Sequence, residues 1–159
     1  MTAAKVFLRL DGIPGECPDL QHRDWIEVSA FRLAASTQPT AEGTAGPGRP
    51  QIDELRLTKA IDAASPRLIE ACLTGRHIKE AVVEILRLPT RVKFLEYRFN
   101  DVFVVGVGVD VGGDEAVSTE VEQVRLAFSK IRMTYLHKSA VGAAVQTGFG
   151  WDIAAGETL

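Results

Sequence analysis

The side chains best suited to metal or nucleophilic chemistry are two cysteines and three histidines. Four of them fall in a matched pattern, Cys17-x4-His22 and Cys72-x4-His77. Two thiolates and two imidazoles could fill a tetrahedral zinc site, but such sites are usually built from closer pairs on tight turns. Cys72 also lies on the apolar face of a helical pattern, where a thiol behaves as a small hydrophobe. Cys17, His22 and Asp24 could serve as nucleophile, base and orienting acid. No local motif such as G-x-S-x-G surrounds them, and the simpler reading is that His22 and Asp24 tie down a loop. His77 follows a helix C-terminus, where a cation is favoured, and His137 reads as a surface position. The glycines of GVGVDVGG (106–113) do not open a helix, so they lack the context of a dinucleotide-binding turn. Glu27, Glu54, Glu80 and Glu84 are isolated on strands and read as solvated faces. The sequence therefore predicts no catalytic residue, no cofactor and no metal site.

The elements that position these residues are mostly strands. Lys5 to Asp11 alternates Val6, Leu8 and Leu10 against Lys5, Phe7 and Arg9, a period of two. Gly12 to Asp19 is turn material. Trp25 to Ala35 reads as one further strand. Ser36 to Pro50 holds three glycines, three prolines and no large apolar residue, so a long, exposed, irregular loop is predicted, of the length that is more often functional than idle. Alternation resumes from Gln51 to Ile61, with Leu55, Leu57 and Ile61 on one side. A single helix follows: Ser65 as N-cap, Pro66 at the first helical position, an apolar face of Leu68, Ile69, Cys72 and Leu73, and Gly75 as the left-handed stop. At about ten residues it must dock on the sheet to hold.

The remaining stretches, 78–88, 92–111 and 119–137, are long and β-rich. The apolar phase changes between Phe128 and Ile131, which predicts a bulge near Ser129–Lys130 or a strand that leaves one buried layer for another. Val102 to Val111 is apolar on both faces, which predicts cover on both sides, the second from another subunit. GGDE (112–115) reads as a turn. The expected architecture is a single mainly β domain over 1–159, a two-sheet β-barrel with one short docked helix and a long extended loop.

Composition excludes several classes. The chain has 159 residues, 46% of them hydrophobic and 25% charged, which is globular rather than disordered. With 18 basic and 21 acidic residues the net charge is −3, which offers no general grip on nucleic acid or an anionic membrane. The longest apolar run is too short to span a bilayer. The N-terminus enters a patterned strand directly, so export without a signal peptide is expected. Two cysteines make no disulfide framework.

Four segments carry a specific resemblance: FLRLDGIPGECPDLQHRDWIEV (7–28), LRLTKAIDAASPRLIEACLTGRHIKEA (55–81), STEVEQVRLAFSKIRMTY (118–135) and GWDI (150–153). In order and spacing they resemble the Hcp (haemolysin-coregulated protein) family of the bacterial type VI secretion system. The resemblance implies a homohexameric ring that stacks into a tube, carries effector proteins in its lumen, and works with a spike protein, sheath and baseplate. It implies a structural, non-enzymatic protein that is cytoplasmic before assembly and secreted afterwards. A phage-tail-tube-like protein, a monomeric ligand-binding β-barrel and a hydrolase using Cys17 and His22 are the alternative readings.

The resemblance also gives positions a role. If Phe31 and Leu33 face the core, Ala30 and Arg32 point the other way, which in a ring wall is the lumen. The loop 36–50 falls where the family reaches an adjacent ring, making Thr37, Gln38, Glu42, Gly43, Gly46 and Arg49 the expected stacking residues. Ser65, Pro66, Leu68 and Cys72 are expected to anchor the helix as a prop.

Overall fold

Residues 3–39 and 48–159 are described by the computed structural model. The chain runs β1 (Ala4–Leu10), β2 (Ile26–Val28), β3 (Ala30–Arg32), β4 (Ala35–Gln38), β5 (Arg49–Ile52), β6 (Leu55–Lys59), α1 (Ser65–Thr74), β7 (Ile78–Arg87), β8 (Val92–Gly113), β9 (Ser118–Ala127), β10 (Lys130–Lys138), β11 (Ala144–Asp152) and β12 (Glu157–Thr158). All pairings are antiparallel. One sheet has the order β12-β11-β10-β8-β7-β1-β2, and a second has β3-β6-β9-β8.

The two sheets share β8. Its first half pairs with β7 and β10, and its second half, from Phe103 on, pairs with β9. The chain changes sheets again at Ser29, between β2 and β3, and at Phe128–Ser129, between β9 and β10. The predicted phase change near Ser129 is thus the second of the two alternatives, a passage between layers. The Ser129 amide donates to the Asn100 carbonyl at 3.0 Å and pins that crossing. The strand predicted over 25–35 is split for the same reason, because β2 and β3 belong to different sheets. The class is mainly β as expected, but hydrogen bonds do not close the sheets into a barrel.

The main core lies between the sheets and under α1, with Leu8, Ile26, Leu55, Leu57, Leu68, Phe99, Val102, Leu126 and Ile131 almost fully buried. Phe7, on the opposite face of β1, starts a second cluster with Cys17, Leu86 and Trp25 beneath the 12–25 loop. α1 spans the predicted residues, and Gly75 ends it at φ 65°, where only glycine is unstrained. Two details of the helix differ from expectation. Ala64, not Ser65, precedes the first helical residue, and no side chain caps the amides there. The buried face is Ser65, Leu68 and Ala71, with Cys72 packed against the core, while Ile69 and Leu73 are exposed.

The loop 36–50 is not irregular at its ends: β4 and β5 form an exposed ladder pairing Thr37 with Pro50 and Gln38 with Arg49. In β6 the third inward position is Lys59, not Ile61, which lies beyond the strand and is exposed. The second cover expected for 102–111 from another subunit has an open face to fill: among the described residues Phe103, Val105, Val109 and Val111 of β8 are all exposed. The turn expected at 112–115 sits at 114–117, where Asp114 Oδ1 accepts the amides of Ala116 and Val117.

Candidate functional site

Pleating decides what the outer face of the second sheet presents. Phe31 and Leu33 pack against the core, which turns Ala30 and Arg32 outward. The register then brings other arginines beside Arg32. Arg32 pairs directly with Arg56 of β6, Arg56 with Arg125 of β9, and Arg125 with Gly106 of β8. Three arginines therefore stand in one row across three neighbouring strands. Gly106 makes room for the third, because a Cβ there would lie 2.5 Å from Arg125 Nε. Arg125 pairs with Glu54 at 2.9 Å. Among the described residues, neither Arg32 nor Arg56 forms an ion pair. A shallow groove of about 280 Å³ runs over the row, lined by Ala30, Arg32, Arg56, Thr58, Gln123 and Arg125 among others. The sequence reading found Ala30 and Arg32 but not their partners, because alternation gives the face and only register gives the row.

The distal halves of β8 and β9 form an arm that leaves the core. Val107 still packs against the core. Exposure then climbs along the same face, 44% at Val109 and 69% at Val111, with Val117 also exposed. A second apolar surface lies between the β4–β5 ladder and β11, a groove of about 420 Å³ lined by Ile52, Pro50, Phe149 and Trp151. Thr37 lines this groove, while Gln38 and Arg49 close the ladder beyond it. Glu42, Gly43 and Gly46 lie outside the described residues.

The Cys and His residues do not converge. Cys17 and His22 belong to the 12–25 loop and pack onto Phe7, Cys72 packs on the main core, and His77 pairs with Asp101 at 2.8 Å. His22 is buried, stacked on Phe7 at 4.0 Å, and donates from Nδ1 to Asp19 at 2.7 Å. Asp19, not Asp24, therefore holds the imidazole. The His22 hydrogen bond, helped by Arg91, keeps the Asp19 carboxyl below the usual carboxylate range. Burial pushes the Cys17 thiol up, and its only side-chain partner among the described residues is Glu27, at 3.4 Å. Both features work against a thiolate nucleophile. Nor are these four glutamates isolated, and Glu54 lies between β5 and β6 rather than on a strand: Glu27 pairs with Lys5, Glu54 with Arg125, Glu80 with Arg9 and Glu84 with Lys93.

One polar cluster escaped sequence reading. Lys59 and Glu122 are opposite each other in the β6–β9 ladder, both point inward, and both are fully buried. Lys59 Nζ donates to Glu122 Oε1 at 2.9 Å, Asp62 Oδ1 at 2.8 Å and Ser65 Oγ at 3.3 Å. Asp62 Oδ1 also accepts the Ala64 amide, and Ser65 Oγ accepts the Asp62 amide. This network takes the place of a conventional cap and joins α1 to the second sheet. The signal was present: Leu55-x-Leu57-x-Lys59 and Glu122-x-Val124-x-Leu126 place both charges in phase with core residues.

No helix among the described residues is long and apolar enough to cross a membrane. A family model described as type VI secretion system effector, Hcp, matches residues 7–135. The chain is 29% identical over 157 residues to the protein hcp1 of Pseudomonas aeruginosa, covering 95% of this chain and 96% of that protein. Its fold is similar to the crystal structure of Hcp1 from Salmonella typhimurium, at 29% identity, a TM-score of 0.82 and 99% of each chain. It is also similar to the structure of a type six secretion system protein, at 25% identity and a TM-score of 0.88, covering 99% of this chain and all of the other.

Proposed function

This chain belongs to the Hcp family of type VI secretion proteins, and from that premise we propose that it is a tube subunit: a hexameric ring that stacks into a secreted tube and carries effectors in its lumen. The observation that carries the ring is the β8–β9 arm. An arm that leaves Val109, Val111 and Val117 open to water presents apolar surface of the kind that a contact with another chain covers. A ring supplies it. Each subunit offers the arm to a different surface of the next, a head-to-tail contact that closes by rotation. The outward face of β3 then lines the lumen, with Ala30 and Arg32 toward the cargo, and the β4–β5 ladder reaches toward the adjacent ring. Spike, sheath and baseplate are the partners this role requires, and secretion is through the apparatus.

The role is structural rather than catalytic. Its support lies in the commitments of the reactive groups: the His22 ring to Asp19, the Cys17 thiol to a buried, protonated state beside Glu27. Light scattering coupled to size exclusion, with negative-stain imaging, tests the ring. Wild-type protein should elute as a hexamer with an open centre. Val111→Asp should give a folded monomer, since an exposed carboxylate is harmless to the subunit but is buried uncompensated in the contact. A wild-type monomer at micromolar concentration would overturn the reading.

A further inference from the structure

We propose that the Arg32–Arg56–Arg125 row is a carboxylate-binding site that selects acidic polypeptide segments of the cargo. This inference rests on the reading of the outward face of β3 as the lumen. A bare row of this kind is costly to the sheet. Like charges directly opposite each other on adjacent strands destabilise a sheet, and here two such pairs share Arg56. Glu54 neutralises Arg125, and Asp53 lies with Glu54 at one end of the row, beside Arg32 and Arg56. That leaves the row with more cations than counter-charges in a chain whose net charge is −3. An anion laid across the row relieves the repulsion.

The shape of the surface also suits an extended segment. The groove over the row is shallow, and the positions next to the arginines are Ala30, Thr58, Gln123 and Gly108, all small or neutral. Gly106 lets the Arg125 guanidinium lie flat against the sheet. An extended acidic segment can therefore approach and meet the guanidinium forks of Arg32 and Arg56, each of which matches a carboxylate in bidentate geometry, while Arg125 stays committed to Glu54 and the Val105 carbonyl. The alternative anion is a nucleic acid, and two observations disfavour it. Asp53 and Glu54 interrupt the positive field that a phosphate backbone needs. The one aromatic residue lining the groove, Phe31, is turned to the core against Tyr97 at 5.1 Å and offers no face for base stacking.

The test uses the assembled protein and a fluorescein-labelled glutamate decapeptide, followed by anisotropy at low and moderate salt. A labelled oligothymidylate of equal charge and a serine-glycine decapeptide are run beside it. Wild-type rings should bind the glutamate peptide in preference to both, with affinity falling as salt rises. Arg32→Gln with Arg56→Gln should weaken that binding about tenfold, the effect of losing two charges of a cooperating row. Both side chains are exposed, so the mass by light scattering should not change, and urea unfolding should shift, if at all, to slightly higher urea as the repulsion across the strands is relieved. The inference is overturned if the double variant binds as wild type, if the oligothymidylate binds more tightly than the peptide, or if the variant changes ring mass, which would make the row a subunit contact. Light scattering separates this from the ring itself: rings that fail to bind the peptide refute only the site, and a monomer that binds it refutes only the ring.

Discussion

Removing one member of the buried Lys59–Glu122 pair should damage the subunit far more than removing both. Lys59→Met keeps most of the length of the side chain but leaves the Glu122 carboxylate fully buried without its cation. Glu122 Oε2 already accepts no hydrogen bond from the described residues, so nothing nearby can replace Lys59. Asp62 and Ser65 also lose a donor, although Asp62 keeps the Ala64 amide. Orphaning one charge of a buried pair costs about 3–5 kcal/mol. With a urea slope of about 2 kcal/mol per molar, the unfolding midpoint should fall by about 2 M. Lys59→Met combined with Glu122→Leu removes both charges and fills the same space. It should recover to within about 1 kcal/mol of wild type or exceed it, because burying two charges offsets most of their mutual attraction. The assay is urea unfolding followed by tryptophan fluorescence at one fixed protomer concentration, since assembly itself adds stability. If Lys59→Met costs less than about 1 kcal/mol, or if the double variant unfolds with the single, the network is not the joint between α1 and the second sheet that its geometry describes.

Three more outcomes are expected. Leu68→Ala should cost about 2–5 kcal/mol in urea, because the side chain is fully buried where α1 meets the core; the exposed Leu73→Ala should cost a few tenths, about the level of an ordinary surface change. The Asp19 carboxyl has its pKa lowered in the folded protein, first by the His22 hydrogen bond. Its contribution is therefore complete above about pH 5, where the unfolded carboxylate is almost fully ionised, and is lost as pH falls through the unfolded and then the lower folded value; hydrogen exchange of the 12–25 loop should accelerate in that acid range in wild type and show no such step in Asp19→Asn. Replacing residues 39–48 with a short Gly-Ser turn leaves the β4–β5 ladder intact and should preserve rings while abolishing tube growth, with electron microscopy as the readout; tubes as abundant as wild type would make the segment a passive connection.

The local grammar of the fold was legible. The helix 65–74 follows from Pro66, the apolar spacing and Gly75, all of which act within a few residues. Alternation correctly turned Phe31 and Leu33 inward and showed that the chain changes phase near Ser129. What alternation could not show was which sheet a strand joins. The sequence Trp25 to Ala35 reads as one strand because no turn residue interrupts it, yet Ser29 donates its amide to Thr58 and the chain crosses to the second sheet there. Likewise 36–50 lacks apolar residues, which argues against burial but not against pairing: an exposed ladder needs only backbone hydrogen bonds, and β4 and β5 make them.

The candidate site divides along the same line. Ala30 and Arg32 come from one strand and were readable from its pleat. Arg56 and Arg125 lie 24 and 93 residues further along the chain, as their numbering shows, and nothing local marks them as neighbours of Arg32. They become one row only because β6 pairs with both β3 and β9 in a register that aligns all three. A shift of one residue in either pairing would send the aligned residue to the other face and dissolve the row. The same registers place Lys59 against Glu122 on the inner face. The buried ion pair and the outer arginine row are thus two consequences of one alignment, charges fixed on opposite sides of β6. Arg56 and Lys59 are three residues apart, an odd interval, so a single strand presents a cation to the proposed cargo and another to the core. A slip of β9 against β6 would unpair Lys59 as surely as it would break the row, so the cost of an orphaned buried charge also holds the outer face in register.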